Sequence, residues 1–202
     1  MSQKSIYIGN LIGGSTMVRE SRIIAKLILD NAIDEVWEQT LIRDNAFQKN
    51  TVSTIKRNIS TLKKRYSDLS PDFLQLLVEG DEELARQVAF YGILHSNLIF
   101  VEFIERVLVD AYLLKYRQLT RSVWRDFVAE QDIKDPIFDE LKDSSKDKIR
   151  EVLYRVLAEM GFIKDSKTLT LQKVLIRPEL VQLLEKHEQY RLLKCMQVSL
   201  VT

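Results

Sequence analysis

The sequence predicts a mainly α-helical protein, in which a helical middle region joins two helix-turn-helix-like units. Two observations favour this class. The 202 residues include only six glycines and three prolines, whereas an all-β protein of this length needs many tight turns. Apolar residues also recur at intervals of three and four along most of the chain, which is the pattern of amphipathic helices. The 46% hydrophobic content is that of an ordinary globular protein.

Residues 1–70 are predicted to form an N-terminal arm followed by the first helix-turn-helix-like unit. Helical spacing begins near Glu20, a second helix is expected over 33–44 and a third over 51–66. Three short helices with a short connection before a basic third helix have the outline of this motif. We expect the unit to end at Ser70, because a following proline disfavours helical backbone in the residue before it.

Residues 71–118 are predicted to form the helical middle. Its segment "VAFYGILHSNLIFV", residues 88–101, carries no charged side chain. A membrane-spanning helix needs about 20 such residues, and Arg86 and Glu102 stand close on either side of this run. We therefore interpret it as a buried core helix with no membrane partner, and we expect His95 within it to be buried and hydrogen-bonded.

Residues 119–202 are predicted to form a winged-helix-like unit that ends in a C-terminal helix. Three helical patterns are followed by "FIKDSKTLTLQKVLI" at 162–176, in which apolar and polar residues alternate near Leu169. That alternation predicts a small β-hairpin turning near Asp165. Three helices followed by a hairpin is the order of a winged helix. A last helix is expected from Pro178.

The segment "TVSTIKRNISTLKKRY", residues 51–66, contains five basic residues and no acidic one, although the whole chain has a formal net charge of only +1. On a helix its apolar side chains share one face. Side chains on the opposite face and its flanks are basic or hydroxylated: Ser53, Lys56, Arg57, Ser60, Thr61, Lys63 and Lys64. These are the residue types that contact phosphate oxygens, and a helix fits the major groove of duplex DNA.

Two other interpretations of the basic helix stay open. One is a solvated surface, although such helices usually mix acidic and basic residues. The other is an acidic protein partner. RNA is less favoured, because the A-form major groove is too deep and narrow for a helix. The candidate DNA-binding residues, including lysines on the predicted wing, are Lys49, Ser53, Lys56, Arg57, Ser60, Thr61, Lys63, Lys64, Lys164 and Lys167.

The sequence contains no catalytic motif. A P-loop, a dinucleotide-binding glycine pattern and a His-Glu-x-x-His zinc motif are all absent. One cysteine, Cys195, and two histidines offer too few ligands for zinc and no internal disulfide. The sequence start lacks a signal-peptide pattern. We therefore expect a cytoplasmic, non-enzymatic protein with no cofactor, metal or small-molecule substrate.

Several blocks of sequence, in their order along the chain, resemble the BrxA family of bacterial BREX phage-defence systems. They are "RESRIIAKLIL" at 19–29, "QKNTVSTIKRNISTL" at 48–62, "LLVEGDEELARQVAFYGIL" at 76–94 and "LYRVLAEMGFIKDSKTLTLQKVLIRPELVQLLE" at 153–185. The resemblance covers about residues 13–185 and depends on many weak blocks rather than one sharp motif.

This resemblance implies a mostly helical, cytoplasmic DNA-binding protein that acts beside the methyltransferase, ATPase and phosphatase-like proteins of the defence system. It assigns no catalytic residue. The alternative function belongs to a different class: a protein–protein adaptor that assembles the defence complex without binding DNA itself. Helix-turn-helix folds serve both purposes, so the fold class does not decide between them.

Overall fold

The computed structural model of the protein describes residues 14–201, and these residues are mainly helical. Most of the predicted N-terminal arm lies outside them. The helices, in chain order, are α1 (Val18–Leu29), α2 (Asp34–Glu38), α3 (Val52–Tyr66), α4 (Pro71–Glu79), α5 (Glu82–Ser96), α6 (Leu98–Phe103), α7 (Val109–Leu113), α8 (Val123–Lys134), α9 (Pro136–Asp139), α10 (Asp143–Glu159), α11 (Pro178–Lys186) and α12 (Tyr190–Met196). A π-helical turn, Gln39–Arg43, follows α2, and another, Ile104–Leu108, joins α6 to α7.

Local sequence signals explain where the central helices begin. The Thr51 hydroxyl accepts a hydrogen bond from the Thr54 amide at 3.3 Å at the start of α3. The Asp81 carboxylate accepts one from the Leu84 amide at 2.9 Å at the start of α5. Such side chains satisfy amide groups that the first turn of a helix leaves unpaired. Pro71 begins α4, where its missing N–H costs nothing.

Helix α5 is the centre of the N-terminal half. Every residue from Val88 to Leu94 is buried, and α1, α3 and α4 all pack against this helix. The prediction of a core helix is confirmed here. The prediction for His95 is wrong: this side chain is exposed, because α5 ends one residue later and its last turn reaches the surface. Within residues 14–201, no helix is both long enough and apolar enough to cross a bilayer.

The helix predicted over 33–44 differs in detail. Regular α-helix covers only Asp34–Glu38, and the chain then continues as the π-helical turn. The wider turn changes the helical phase. Leu41, within this turn, is fully buried, whereas Val36, which the regular pattern places inward, is 43% exposed.

The predicted β-hairpin is not present as two regular strands. The described residues contain two isolated antiparallel bridges instead, Ile163 to Leu171 and Gln118 to Thr170. The physical reason lies in the turn. The Asp165 carboxylate accepts hydrogen bonds from the amides of the second and third residues after it, which draws the chain into a compact loop. Leu169 then takes a left-handed backbone conformation, φ 53°, and interrupts the extended chain. The helix predicted from Pro178 is likewise two helices, α11 and α12, and Glu188 at φ 56° lies between them.

An aromatic cluster holds the C-terminal helices against the middle of the chain. The Phe103 ring of α6 lies 5.2 Å from Phe127 and 6.1 Å from Trp124, both on α8. It also lies 6.2 Å from Tyr154 on α10. These distances are typical of attractive edge-to-face or tilted aromatic pairs. Phe103 thus anchors α8 and α10 to the same core that surrounds α5.

We predict that Gly92→Ala destabilises the protein. Alanine normally favours a helix by about 1 kcal/mol over glycine, but a Cβ atom at Gly92 would lie only 2.8 Å from Cε1 of Tyr66. Tyr66 is fully buried, and its hydroxyl donates to Ser21 at 2.9 Å, so the ring has little freedom to move. We expect urea unfolding to show a net loss of about 1–3 kcal/mol. Ser60→Ala, at an exposed helical position, is the control and should stay within about 0.5 kcal/mol. A Gly92→Ala protein as stable as the parent would contradict this.

Candidate nucleic-acid interface

The exposed face of α3 carries unpaired positive charge. Lys56, Arg57 and Lys64 are all exposed, and none of them has an acidic partner within 4 Å among residues 14–201. Ser53 and Ser60 add exposed hydroxyl groups to the same surface. Arg57 and Lys64 are seven residues apart, which is about 10 Å along a helix axis. The helix thus presents cations and hydrogen-bond donors over two turns with no carboxylate of its own.

Three of the candidate residues on or near α3 are engaged within the protein. The Lys49 ammonium pairs with Glu20 at 2.5 Å. The Lys63 ammonium lies 3.8 Å from the centre of the Trp37 ring, a cation–π contact. Thr61 is only 3% exposed, so the prediction that its hydroxyl lies on the outer face is wrong. The buried side of α3 is wider than its apolar stripe, because Asn58 and Arg65 are buried beside Thr61.

Arg65 makes a structural contact that the sequence pattern did not indicate. It ends the basic run of α3, yet its side chain is 1% exposed. Its guanidinium donates to the carbonyl oxygens of Ser15 at 2.8 Å and Gly14 at 3.0 Å. Burial lowers the pKa of Arg65, while the negative charge of Glu159 opposes that effect; an arginine remains charged in either case. A buried cation inside a basic sequence run gives no periodic signal that distinguishes it from its exposed neighbours.

The residue that follows those held by Arg65, Thr16, contacts the far end of α10. Both the amide and the hydroxyl of Thr16 donate to Oε2 of Glu159, at 2.9 and 2.7 Å. Residues 14–16 therefore form a strap between the end of α3 and the end of α10. The end of the basic helix α3 is thus connected to the end of α10 through this strap.

The candidate lysines after α10 lie on the compact loop described above. Lys164 is exposed, and its amide donates to Thr170 at 2.8 Å. Lys167 is also exposed and lines a cleft beside α10. The loop therefore brings Lys167 next to α10. Among the described residues, neither lysine makes a side-chain hydrogen bond or an ion pair with a residue of α3.

No group in the described chain has the features of a catalytic or metal centre. Residues 14–201 contain no cluster of three histidine, cysteine or acidic side chains suited to a metal ion. Burial raises the pKa of the Cys195 thiol to about 12. Since the thiolate is the nucleophilic form of cysteine, this side chain is unreactive at neutral pH. The exposed face of α3 therefore offers positive charge, with no catalytic group beside it among the described residues.

These features define a class: a helical protein with basic surfaces, in whose described part no reactive centre stands out. Comparison with known proteins gives the family. The chain belongs to the BrxA family, whose model matches residues 5–188.

Individual relatives agree with that assignment. The chain is 29% identical over 194 residues to a BREX protein BrxA of Paramagnetospirillum magneticum, covering 96% of this chain and 98% of the relative. It is also 29% identical to a BREX protein BrxA of Escherichia coli O9:H4, covering 95% and 90%. A crystal structure of an uncharacterized protein from Magnetospirillum magneticum has the same fold, with a TM-score of 0.86 at 29% identity over 96% of this chain and all of that one.

We predict that Arg65→Met lowers stability, because it leaves the carbonyl groups of Gly14 and Ser15 without their donors. The expected loss in urea unfolding is about 1–3 kcal/mol. Lys64→Met is the matched control, since this neighbour is exposed and should change stability by less than about 0.5 kcal/mol. Apolar replacement of a buried charge sometimes stabilises a protein, and the Arg65 Nε atom has no partner. An Arg65→Met protein as stable as its parent, or more stable, would therefore contradict this prediction.

Proposed function

We propose that this protein is a non-enzymatic duplex DNA-binding component of a BREX phage-defence system, and that α3 contacts the phosphate backbone. The observation that carries the proposal is the exposed, acid-free face of α3, on which Lys56, Arg57 and Lys64 have no acidic partner in the described chain. The role in defence is supported by the relatives, which bear the name BREX protein BrxA. Other BREX proteins are accordingly proposed as partners.

The electrostatic argument depends on local charge. A helix with like charges on one face repels itself slightly, and an anionic partner removes that repulsion. Phosphate oxygens accept hydrogen bonds from Arg, Lys and Ser, which are the groups exposed on α3. The small net charge of the chain, +1, does not oppose this, because the local field of a surface guides a charged ligand to it. Contacts of this kind give affinity with little sequence preference.

We expect Arg57→Glu/Lys64→Glu to weaken binding to a labelled 25-base-pair duplex without altering the fold. Each lost phosphate contact lowers the slope of log K against log salt by about 0.9, so the double variant should lose about 2 in slope. Both side chains are exposed, so thermal unfolding should be little changed. The measurement is fluorescence anisotropy between 50 and 200 mM salt.

The matched control is Lys115→Glu/Lys194→Glu, which makes the same change in net charge at exposed positions outside α3. It should retain most of the affinity and slope. If the α3 variant folds normally and binds DNA as the parent does, α3 is not the DNA contact. The adaptor function would then be favoured, and the basic face would be assigned to an acidic protein partner.

The non-enzymatic part of the proposal has its own test. We expect the purified chain to show no ATP hydrolysis, DNA cleavage or DNA methylation, because the described residues offer neither a metal-ligand cluster nor a reactive thiol. The measurement is turnover of each substrate with added Mg²⁺. Activity that co-purifies with the protein and disappears on a point substitution in this chain would refute it.

A further inference from the structure

A cleft of about 590 Å³ opens beside α10, and none of the residues that line it belongs to α3. Three parts of the chain form it: the turn before α8, one face of α10 and the loop after Ile163. The residues that line it are Arg121, Arg150, Glu151, Tyr154, Arg155, Ser166, Lys167 and Leu169. Four cations and one carboxylate thus surround the same space.

The positive charge in this cleft is largely uncompensated. Arg150 pairs with Asp147, one turn earlier on α10, at 3.0 Å. Arg121, Arg155 and Lys167 have no acidic partner within 4 Å in the part of the chain that the structure describes. The acidic residue of the loop, Asp165, is already committed to that loop. Its carboxylate accepts hydrogen bonds from the amides of Lys167 and Thr168 at 2.8 Å and from the Thr168 hydroxyl at 2.9 Å.

A buried hydroxyl without a partner provides a second, independent observation. Tyr154 lines the cleft, is 7% exposed, and its hydroxyl makes no hydrogen bond within the protein. Burial raises the pKa of Tyr154 to about 12, and the charge of Arg150 acts against that rise. The hydroxyl is therefore protonated at neutral pH and can donate a hydrogen bond. Buried polar groups are rarely left unpaired, because burial without a hydrogen bond is unfavourable.

Backbone contacts hold the walls of the cleft in place. The Leu119 amide donates to the Leu169 carbonyl at 3.1 Å, and the Leu171 amide donates to the Arg117 carbonyl at 3.0 Å. These bonds fix the loop against the segment that leads into Arg121. The floor is fixed by the packing of Tyr154 on Phe103. A site built this way loses little conformational entropy when a ligand binds.

We propose that this cleft is a phosphate-binding site, in which Arg121, Arg155 and Lys167 surround the anion and the Tyr154 hydroxyl donates to one of its oxygens. Guanidinium groups match the geometry of phosphate oxygens and bind them in pairs of hydrogen bonds. The phosphate belongs either to a nucleic-acid backbone or to a small phosphate ester, since both present the same oxygens. The site adds a contact to the DNA-binding function proposed above, but it does not depend on α3.

The test is NMR of the arginine Nε–Hε groups in the full chain, with each signal assigned by an arginine-to-lysine substitution. The probes are inorganic phosphate, the dinucleotide pTpT and uncharged thymidine. We expect the signals of Arg121 and Arg155 to shift with a phosphate-bearing probe and not with thymidine. Shifts with pTpT alone identify a backbone site, and equal shifts with inorganic phosphate identify a site for small phosphates. If neither phosphate probe moves these signals, or if thymidine moves them equally, the proposal is overturned.

Two variants separate this site from α3 and from a structural role. Tyr154→Phe should bind the effective phosphate probe about tenfold more weakly, which is the loss of one hydrogen bond to a charged group. Its ligand-free melting temperature should not fall, because the hydroxyl has no partner to lose. Arg57→Glu/Lys64→Glu should bind the probe as the parent does, even if it fails to bind duplex DNA. A Tyr154→Phe protein with unchanged phosphate affinity would overturn the role given to this hydroxyl, and a lower ligand-free melting temperature would show a structural role instead.

Discussion

The buried guanidinium of Arg65 is the interaction that joins the end of the basic helix α3 to the strap of residues 14–16. It lies at the end of α3, is almost fully enclosed, and holds the carbonyl groups of residues 14 and 15. The next residue, Thr16, donates twice to Glu159. Arg65 and Glu159, a cation and an anion from opposite halves of the chain, therefore both hydrogen-bond to the same short strap. Burying a charge is costly unless it is hydrogen-bonded, and here the backbone of the strap supplies those bonds.

The strap thus connects the N-terminal half of the chain to the C-terminal half. Helix α3 presents exposed cations on one surface. Helix α10, which ends at Glu159, presents arginines in the cleft. Two acidic residues near the cleft are engaged in local contacts: Asp147 pairs with Arg150 along α10, and Asp165 stabilises its own loop. The protein thus reaches near-neutrality overall while keeping two regions of local positive potential.

The helices and the core were largely predictable from sequence, because apolar spacing reports burial directly. The buried run through α5 shows this best. The features that depend on tertiary contact were not predictable. His95 lies in an apolar run but at a helix end, so local pattern misplaced it. Thr61 and Arg65 are buried by contacts outside the apolar stripe of α3, and the hairpin pattern was overridden by the Asp165 turn. Among the candidate site residues, the sequence could not show which cations are already engaged within the protein, as Lys49 and Lys63 are.

The single cysteine has a practical consequence for studying these surfaces. Cys195 is 2% exposed, and burial holds its thiol in the protonated form at neutral pH. Maleimide reagents react with thiolates, so the folded protein has almost no background for labelling. A cysteine introduced in place of Ser53 or Ser60, both exposed on α3, would carry a fluorophore or a crosslinker at one defined position. Cys195 would not have to be replaced.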